Sequence, residues 1–351
     1  MITDTTTDEI YEKLSALLSD TVPDFELRLK AEIAAEINRL KAVKNAVILG
    51  HNYMEPALFH SIPDYVGDSL ELSRRAAETD KDIIVFCGVK FMAETAKILN
   101  PTKKVLIPSL KAGCSLAASI TAADVRELKQ RFPGVPVVTY INTYADVKAE
   151  SDICCTSSNA VDVVNSLKTD RVIFIPDEYL AGNVARETGK KIIYPTRDPL
   201  KRFPDDLDYQ MIGWPGRCEV HEKFSVDDIN NVRKQFPDVV ILAHPECSPE
   251  VVAASDYSGS TTAMIRYVEK TRAPRYLLLT ECSMGDNIAA ANPDKEMLRL
   301  CSVRCPHMNE ITLEDTLESL QKEQYEIEID EEIRAKALRS VERMLEIRRE
   351  D

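Results

Sequence analysis

No apolar run in this chain of 351 residues approaches the ~18 residues of a membrane-spanning helix, so no membrane partner is expected. The first twelve residues are acidic and Thr-rich. They lack the basic and apolar regions of a secretory signal, so a cytoplasmic, reducing location is expected. A basic stripe is missing too. Lys and Arg total 44 against 58 Asp and Glu, a formal charge of −14, which argues against a nucleic-acid partner. A small anionic substrate stays open, because a few local donors can outweigh the global field. Histidine is scarce, with five residues. There is no C-x-x-C pair, which weakens zinc-ribbon and thioredoxin readings. No low-complexity linker divides the chain.

Against these absences stand nine cysteines. In a reducing compartment they point to metal or catalytic use, and without C-x-x-C the ligands must come from distant parts of the chain. Residues 25–42 place Leu29, Ile33, Ile37 and Leu40 on one helical face. A similar pattern of Ile333, Ala337, Val341 and Leu345 begins near Glu331. Between them, short apolar runs alternate with helical stretches. Expected strands are Ala46–Leu49, Ile83–Phe86, Val105–Ile107, Val137–Tyr140, Val172–Ile175, Lys191–Tyr194, Val239–Ala243 and Tyr276–Thr280. This alternation predicts an α/β fold with parallel sheets.

Internal repeats sharpen the reading. Cys114, Cys218 and Cys305 are each followed at +7 by Ser or Thr (Thr121, Ser225, Thr312) and at +10 by Asp (Asp124, Asp228, Asp315). S/T-x-x-D marks a capped helix start. A second spacing also recurs three times: Asp64…Ser69, Asp152…Ser157 and Asp256…Thr261, each before a helical run. Each follows a strand end with polar residues, namely His51–Tyr53, Tyr140–Asn142 and His244–Glu246. Two spacings in the same order three times predict three similar α/β domains around a pseudo-threefold axis, with the active site at the centre. The expected division is an N-terminal helical segment (1–42), repeats at 43–134, 135–237 and 238–325, and a C-terminal helix (326–351).

Equivalent loops meeting at such an axis would bring three thiolates together. Three thiolates suit a zinc ion with an open position or a 4Fe-4S cluster with one iron unligated by protein. An all-sulfur trio favours the cluster, since zinc enzymes more often mix in His or carboxylate. Cys87, Cys154, Cys155 and Cys282 read as small hydrophobes in apolar runs or at strand ends. Cys247 has no clear place, and Cys301 is a possible spare ligand. Ser69, Ser157 and Thr261 fit either plain helix caps or anion-binding hydroxyls at helix N-termini. His51 and His244 share a strand-end position where α/β folds place ligands, with Tyr53 and Glu246 two residues on. His221 and His307 read equally as groups behind the site or as surface residues.

The blocks GHNYMEP, GDSLELSR, FCGVKFMAETAKIL, AGCSLA, YINTYADVKAESDICCTSSNA, FIPDEYLAGNVA, PGRCEVHEKF, AHPECSPEVVAASDYSGSTTAM and CPHMNEITLEDTLESL resemble quinolinate synthases, iron–sulfur enzymes of NAD biosynthesis. The resemblance runs from about Ala46 to Leu320 and implies three α/β domains around a central cluster. It implies condensation of iminoaspartate with dihydroxyacetone phosphate to quinolinate, with loss of phosphate and water. It places the 4Fe-4S ligands on Cys114, Cys218 and Cys305. Substrate contacts fall on His51, Ser69, Tyr140, Asn142, Ser157, His244, Glu246 and Thr261, with Tyr53 near the reacting carbons. The expected catalytic groups are Tyr53, Glu246, His51 and His244, with Glu246 as the general base. L-aspartate oxidase is the implied supplier of substrate. Two other readings are an iron–sulfur hydro-lyase and a non-enzymatic iron–sulfur sensor.

Overall fold

Apolar runs of four to six residues, each ending in a polar or glycine-bearing turn, form the central strands of the computed structural model, which describes residues 6–195, 208–299 and 303–347. The first sheet contains β1 (Ala46–His51), β2 (Tyr65–Gly67), β3 (Ile83–Cys87) and β4 (Lys104–Leu106), in the order β2-β1-β3-β4. The second contains β5 (Val137–Tyr140), β6 (Ile153–Cys155), β7 (Val172–Ile175), β8 (Ile192–Ile193) and β9 (Met211–Ile212), in the order β6-β5-β7-β9-β8. The third contains β10 (Val239–Ala243), β11 (Tyr257–Ser258), β12 (Arg275–Leu279) and β13 (Glu296–Leu298), in the order β11-β10-β12-β13. Every pairing between these strands is parallel, and a helix lies in each connection except the one between β8 and β9, most of which falls outside the described residues. The α/β class and the threefold recurrence of one strand order follow the sequence reading. The middle sheet adds one edge strand.

The recurrent aspartates show why the units match. The Asp64 carboxylate accepts from the Ile48 N–H at 2.8 Å, and the Asp64 N–H donates to the Ile48 carbonyl at 2.9 Å. Asp152 does the same with Val137 (2.8 and 2.9 Å), and Asp256 with Ile241 (2.8 and 2.8 Å). Each pair of bonds ties a returning loop to the unit's first strand. Counting three residues from Ile48, Val137 and Ile241 makes His51, Tyr140 and His244 equivalent. Counting five makes Tyr53, Asn142 and Glu246 equivalent. Order 2-1-3-4 puts the topological switch point beside the first strand, at its carboxyl end, and these residues sit there.

Thr121, Ser225 and Thr312 each accept from the N–H of the Asp three residues on and cap helices Ala122–Arg131, Val226–Gln235 and Leu313–Lys322. The first long helix, Asp24–Val43, buries Leu27, Ala31, Ala34, Ile37 and Leu40. Leu29 instead lies 53% exposed, because the buried stripe is carried partly by alanines that a search for large side chains passes over. The expected strands all occur. The short β2, β6, β9, β11 and β13 were not expected, since two or three residues carry no periodicity. Cys87, Cys154, Cys155 and Cys247 are buried, whereas Cys282, expected as a small hydrophobe at a strand end or in an apolar run, is half-buried at the first turn of helix Cys282–Ala291. Cys301 lies outside the described residues. Among the described residues no helix is long and apolar enough to cross a membrane.

Candidate active site

The carboxyl ends of the three sheets converge on one cavity, part of it open to solvent. All twelve residues singled out in the sequence line it: His51, Tyr53, Ser69, Cys114, Tyr140, Asn142, Ser157, Cys218, His244, Glu246, Thr261 and Cys305. Val89, Phe91, Met92, Val220 and Met308 complete its wall with apolar surface. Polar ties join the units beside it. Asp68 caps helix Ser69–Glu78 and accepts from Ser158 and Ser260, both at 2.9 Å. The Asn52 amide donates to Thr261 Oγ1 at 2.9 Å.

Each cysteine sits between the last paired strands of its unit and the capped helix that follows. The Ala112 carbonyl before Cys114 accepts from the Lys90 N–H at 2.8 Å. Ahead of Cys218, Gly216 pairs with Asp177, two residues beyond β7, and a Cβ there would lie 2.5 Å from the Pro176 carbonyl oxygen, so only glycine fits. Beside Cys305, Arg304 donates to Ser283 Oγ at 2.7 Å and pairs with Asp286 at 3.1 Å. Burial pushes the Cys114 thiol up to about 12, the Cys305 thiol up to about 11, and the Cys218 thiol well above its usual range. A metal must therefore displace protons to bind. The three sulfurs do not all lie within 4.8 Å of one another. Thiolates on one tetrahedral zinc would be about 3.8 Å apart. The all-sulfur set thus fits a multi-iron cluster better than a single ion.

Ser69 and Thr261 are the first residues of helices Ser69–Glu78 and Thr261–Lys270, and the caps are the preceding Asp68 and Ser260. The plain-cap reading fails for both, and their side chains face the cavity instead. Ser157 lies two residues before Asn159, the N-cap of helix Ala160–Ser166.

Glu246 is the centre of the polar network. Its Oε1 accepts from the Tyr140 hydroxyl at 2.6 Å and the Asn142 amide at 3.2 Å. Its Oε2 lies 2.6 Å from His221 Nδ1. Burial opposes its charge, yet His221, His244 and Tyr140 outweigh that and hold the carboxyl well below its ordinary range. His221 Nε2 lies 2.9 Å from Thr280 Oγ1, which lies 2.6 Å from the Tyr53 hydroxyl. A continuous hydrogen-bonded chain therefore joins Tyr53, Thr280, His221 and Glu246. Burial raises both Tyr53 and Tyr140 well above 10, so each keeps its proton.

His51 and His244 repeat one arrangement. Each Nδ1 accepts from the N–H two residues on, Tyr53 at 3.2 Å and Glu246 at 3.3 Å. Burial pushes them down to about 4 and about 3. Both are neutral near pH 7, with Nε2–H as the free donor.

The sequence reading left His221 undecided and passed over Thr280. Four of the five histidines line the cavity, so their scarcity was itself a signal. Thr280 follows the apolar run of β12, at the carboxyl end of a parallel strand, where a polar residue signals a site. His307 lies half-buried at the cavity edge, 3.1 Å from Glu219.

A family model described as quinolinate synthetase A protein matches residues 35–346. A quinolinate synthase of Mesorhizobium japonicum is 51% identical over 96% of this chain and 97% of its own length. A quinolinate synthase of Caulobacter vibrioides is 51% identical over 93% and 84%. One from Sinorhizobium medicae is 50% identical over 97% and 89%.

Proposed function

The chain belongs to the quinolinate synthetase A family and is an enzyme, and on that premise we propose that it condenses iminoaspartate with dihydroxyacetone phosphate to quinolinate in NAD biosynthesis. One phosphate and two waters leave. The observation that carries this reading is the convergence of twelve residues, drawn from equivalent positions of three units, on one cavity. We place the unit boundaries at 43–134, 135–237 and 238–325, flanked by the helical segments 1–42 and 326–351.

Cys114, Cys218 and Cys305 would hold a 4Fe-4S cluster. When bound, it would supply one iron without a protein ligand, a Lewis acid for a substrate carboxylate or a leaving hydroxyl. The protein's own groups account for the rest. His51 and His244 donate Nε2–H to substrate carboxylate and carbonyl oxygens. Ser69, Ser157 and Thr261 donate hydroxyls to the carboxylate and phosphate groups. Tyr53 offers a proton to a departing oxygen and draws on Thr280 and His221 behind it. Glu246, ionised and in contact with His221, accepts the proton removed from carbon. That acceptance requires substrate to displace part of its donor set, because the resting carboxylate is a weak base. The apolar wall of Phe91, Met92 and Met308 keeps water from a hydrolysable imine. L-aspartate oxidase is the proposed source of iminoaspartate, and the cytoplasm is the proposed compartment.

The test is anaerobic incubation of the cluster-loaded chain with both substrates, followed by product analysis. Quinolinate and phosphate should form in equal amounts. Dehydration of an added hydroxy acid without C–C bond formation would overturn the assignment in favour of a hydro-lyase.

A further inference from the structure

Cys218 Sγ, His221 Nδ1 and Glu246 Oε2 bring three kinds of metal donor together from two units. His221 Nδ1 lies 3.2 Å from Cys218 Sγ and 2.6 Å from Glu246 Oε2, and the three residues' donor atoms all fall within 4.8 Å of one another. Among the described residues no other such trio of Cys, His, Asp or Glu occurs. We propose that in the chain without its cluster these three residues bind a single borderline divalent cation of the zinc class.

Thiolate, imidazole and carboxylate are the three ligand types of tetrahedral zinc sites, and a cation here keeps a fourth position open toward the cavity. The outer partners that such ligands need are already in place. With Nδ1 on the cation, His221 Nε2–H faces Thr280 Oγ1 at 2.9 Å, which fixes the ring and its tautomer. With Oε2 on the cation, Glu246 keeps Tyr140 and Asn142 on Oε1. Seating the ion requires Nδ1 and Oε2 to part by about 0.7 Å, to the roughly 3.3 Å of neighbouring ligands on zinc. A cation at this trio withdraws Cys218 from the cysteine set and Glu246 from substrate. Zinc therefore blocks cluster assembly at the cavity itself.

The probe is cobalt(II), followed by zinc, added anaerobically to the full chain freed of iron. One equivalent of cobalt should give the visible bands of a tetrahedral ion and a sulfur-to-cobalt charge-transfer band, and zinc should bleach both. The Cys114→Ser/Cys305→Ser double variant cannot hold a cluster and should bind cobalt as the parent does. His221→Gln and Glu246→Gln should weaken cobalt binding by more than the roughly 10–100-fold expected for Thr280→Val, which removes only an outer partner. Should Glu246→Gln fail to fold, Glu246→Asp must bind cobalt with altered visible bands. An unaltered spectrum removes the carboxylate from the ligand set and overturns the proposal. Prebound zinc should slow reconstitution by iron and sulfide in the parent but not in His221→Gln. Cobalt binding that is lost in the double variant, or unchanged in both Gln variants, refutes the site. A product assay on the cluster-loaded chain is independent of every one of these outcomes.

Discussion

Replacing Glu246 by Gln changes one oxygen to an amide and disturbs a whole chain of hydrogen bonds. The carboxylate accepts from Tyr140 and Asn142 on one oxygen and faces His221 Nδ1 at 2.6 Å with the other. Gln has one acceptor. If that oxygen stays with Tyr140 and Asn142, the amide N–H₂ confronts the proton on His221 Nδ1. His221 must then carry its proton on Nε2, and Thr280 must turn its hydroxyl from His221 toward Tyr53. A charge-assisted bond of about 1.5–3 kcal/mol is exchanged for a neutral one of about 0.5–1.5 kcal/mol, so folding should weaken by only about 1 kcal/mol. Loss of the proton acceptor should instead lower turnover by roughly 10²-fold or more. The assay is single-turnover kinetics with both substrates under anaerobic conditions, beside iron content and affinity for a dicarboxylate inhibitor. Inhibitor affinity should stay within about 10-fold, equivalent to 1.4 kcal/mol. Turnover near the parent rate would refute the base role and shift it to His221.

Ser69→Ala and Thr261→Ala should each weaken a dicarboxylate inhibitor by roughly 10-fold or more, while the melting temperature barely moves, because Asp68 and Ser260 do the capping. Unchanged affinity in a calorimetric titration would remove them from the substrate site. Asp68→Ala removes a helix cap and the acceptor of Ser158 and Ser260, so it should cost about 3 kcal/mol in urea unfolding; a loss under 1 kcal/mol would show that the inter-unit tie is unimportant. Burial, with Lys13 nearby, pushes His60 down to about 4, against about 6.5 when unfolded. The unfolded chain then binds more protons between those values, so stability should rise with pH across that window and fall as pH drops through it. His60→Gln should flatten the slope of unfolding free energy between pH 4 and 6.5, and an unchanged slope would contradict the assignment.

The triplication was legible because the cavity makes the same demand three times. A capped helix must follow each cysteine loop, and an Asp must bind back to each first strand, so the spacings survive in the sequence. Apolar runs such as Ile83–Cys87, buried throughout, and Val239–Ala243, buried but for a half-buried Val240, announce themselves as parallel strands. Edge strands such as Tyr65–Gly67 carry two exposed residues and no pattern. The sequence left Ser69 open between a cap and an anion-binding hydroxyl because one residue separates a cap from the first helical position, and Asp68 takes the capping role with a better acceptor. Thr280 was hidden because its contribution arises only when β12 from the third unit reaches Tyr53 from the first, a contact across 227 positions that no local pattern records.

The measurement that tests the central claim most directly is the anaerobic absorption spectrum of the purified chain, with its iron, sulfide and zinc content, beside Cys114→Ala, Cys218→Ala, Cys305→Ala and Cys154→Ala. A central 4Fe-4S cluster requires a brown chromophore with about four iron and four sulfide per chain, lost in the first three variants and kept in Cys154→Ala. Stoichiometric zinc without iron or sulfide in the anaerobically prepared parent, or a chromophore that survives loss of any of the three cysteines, would contradict it.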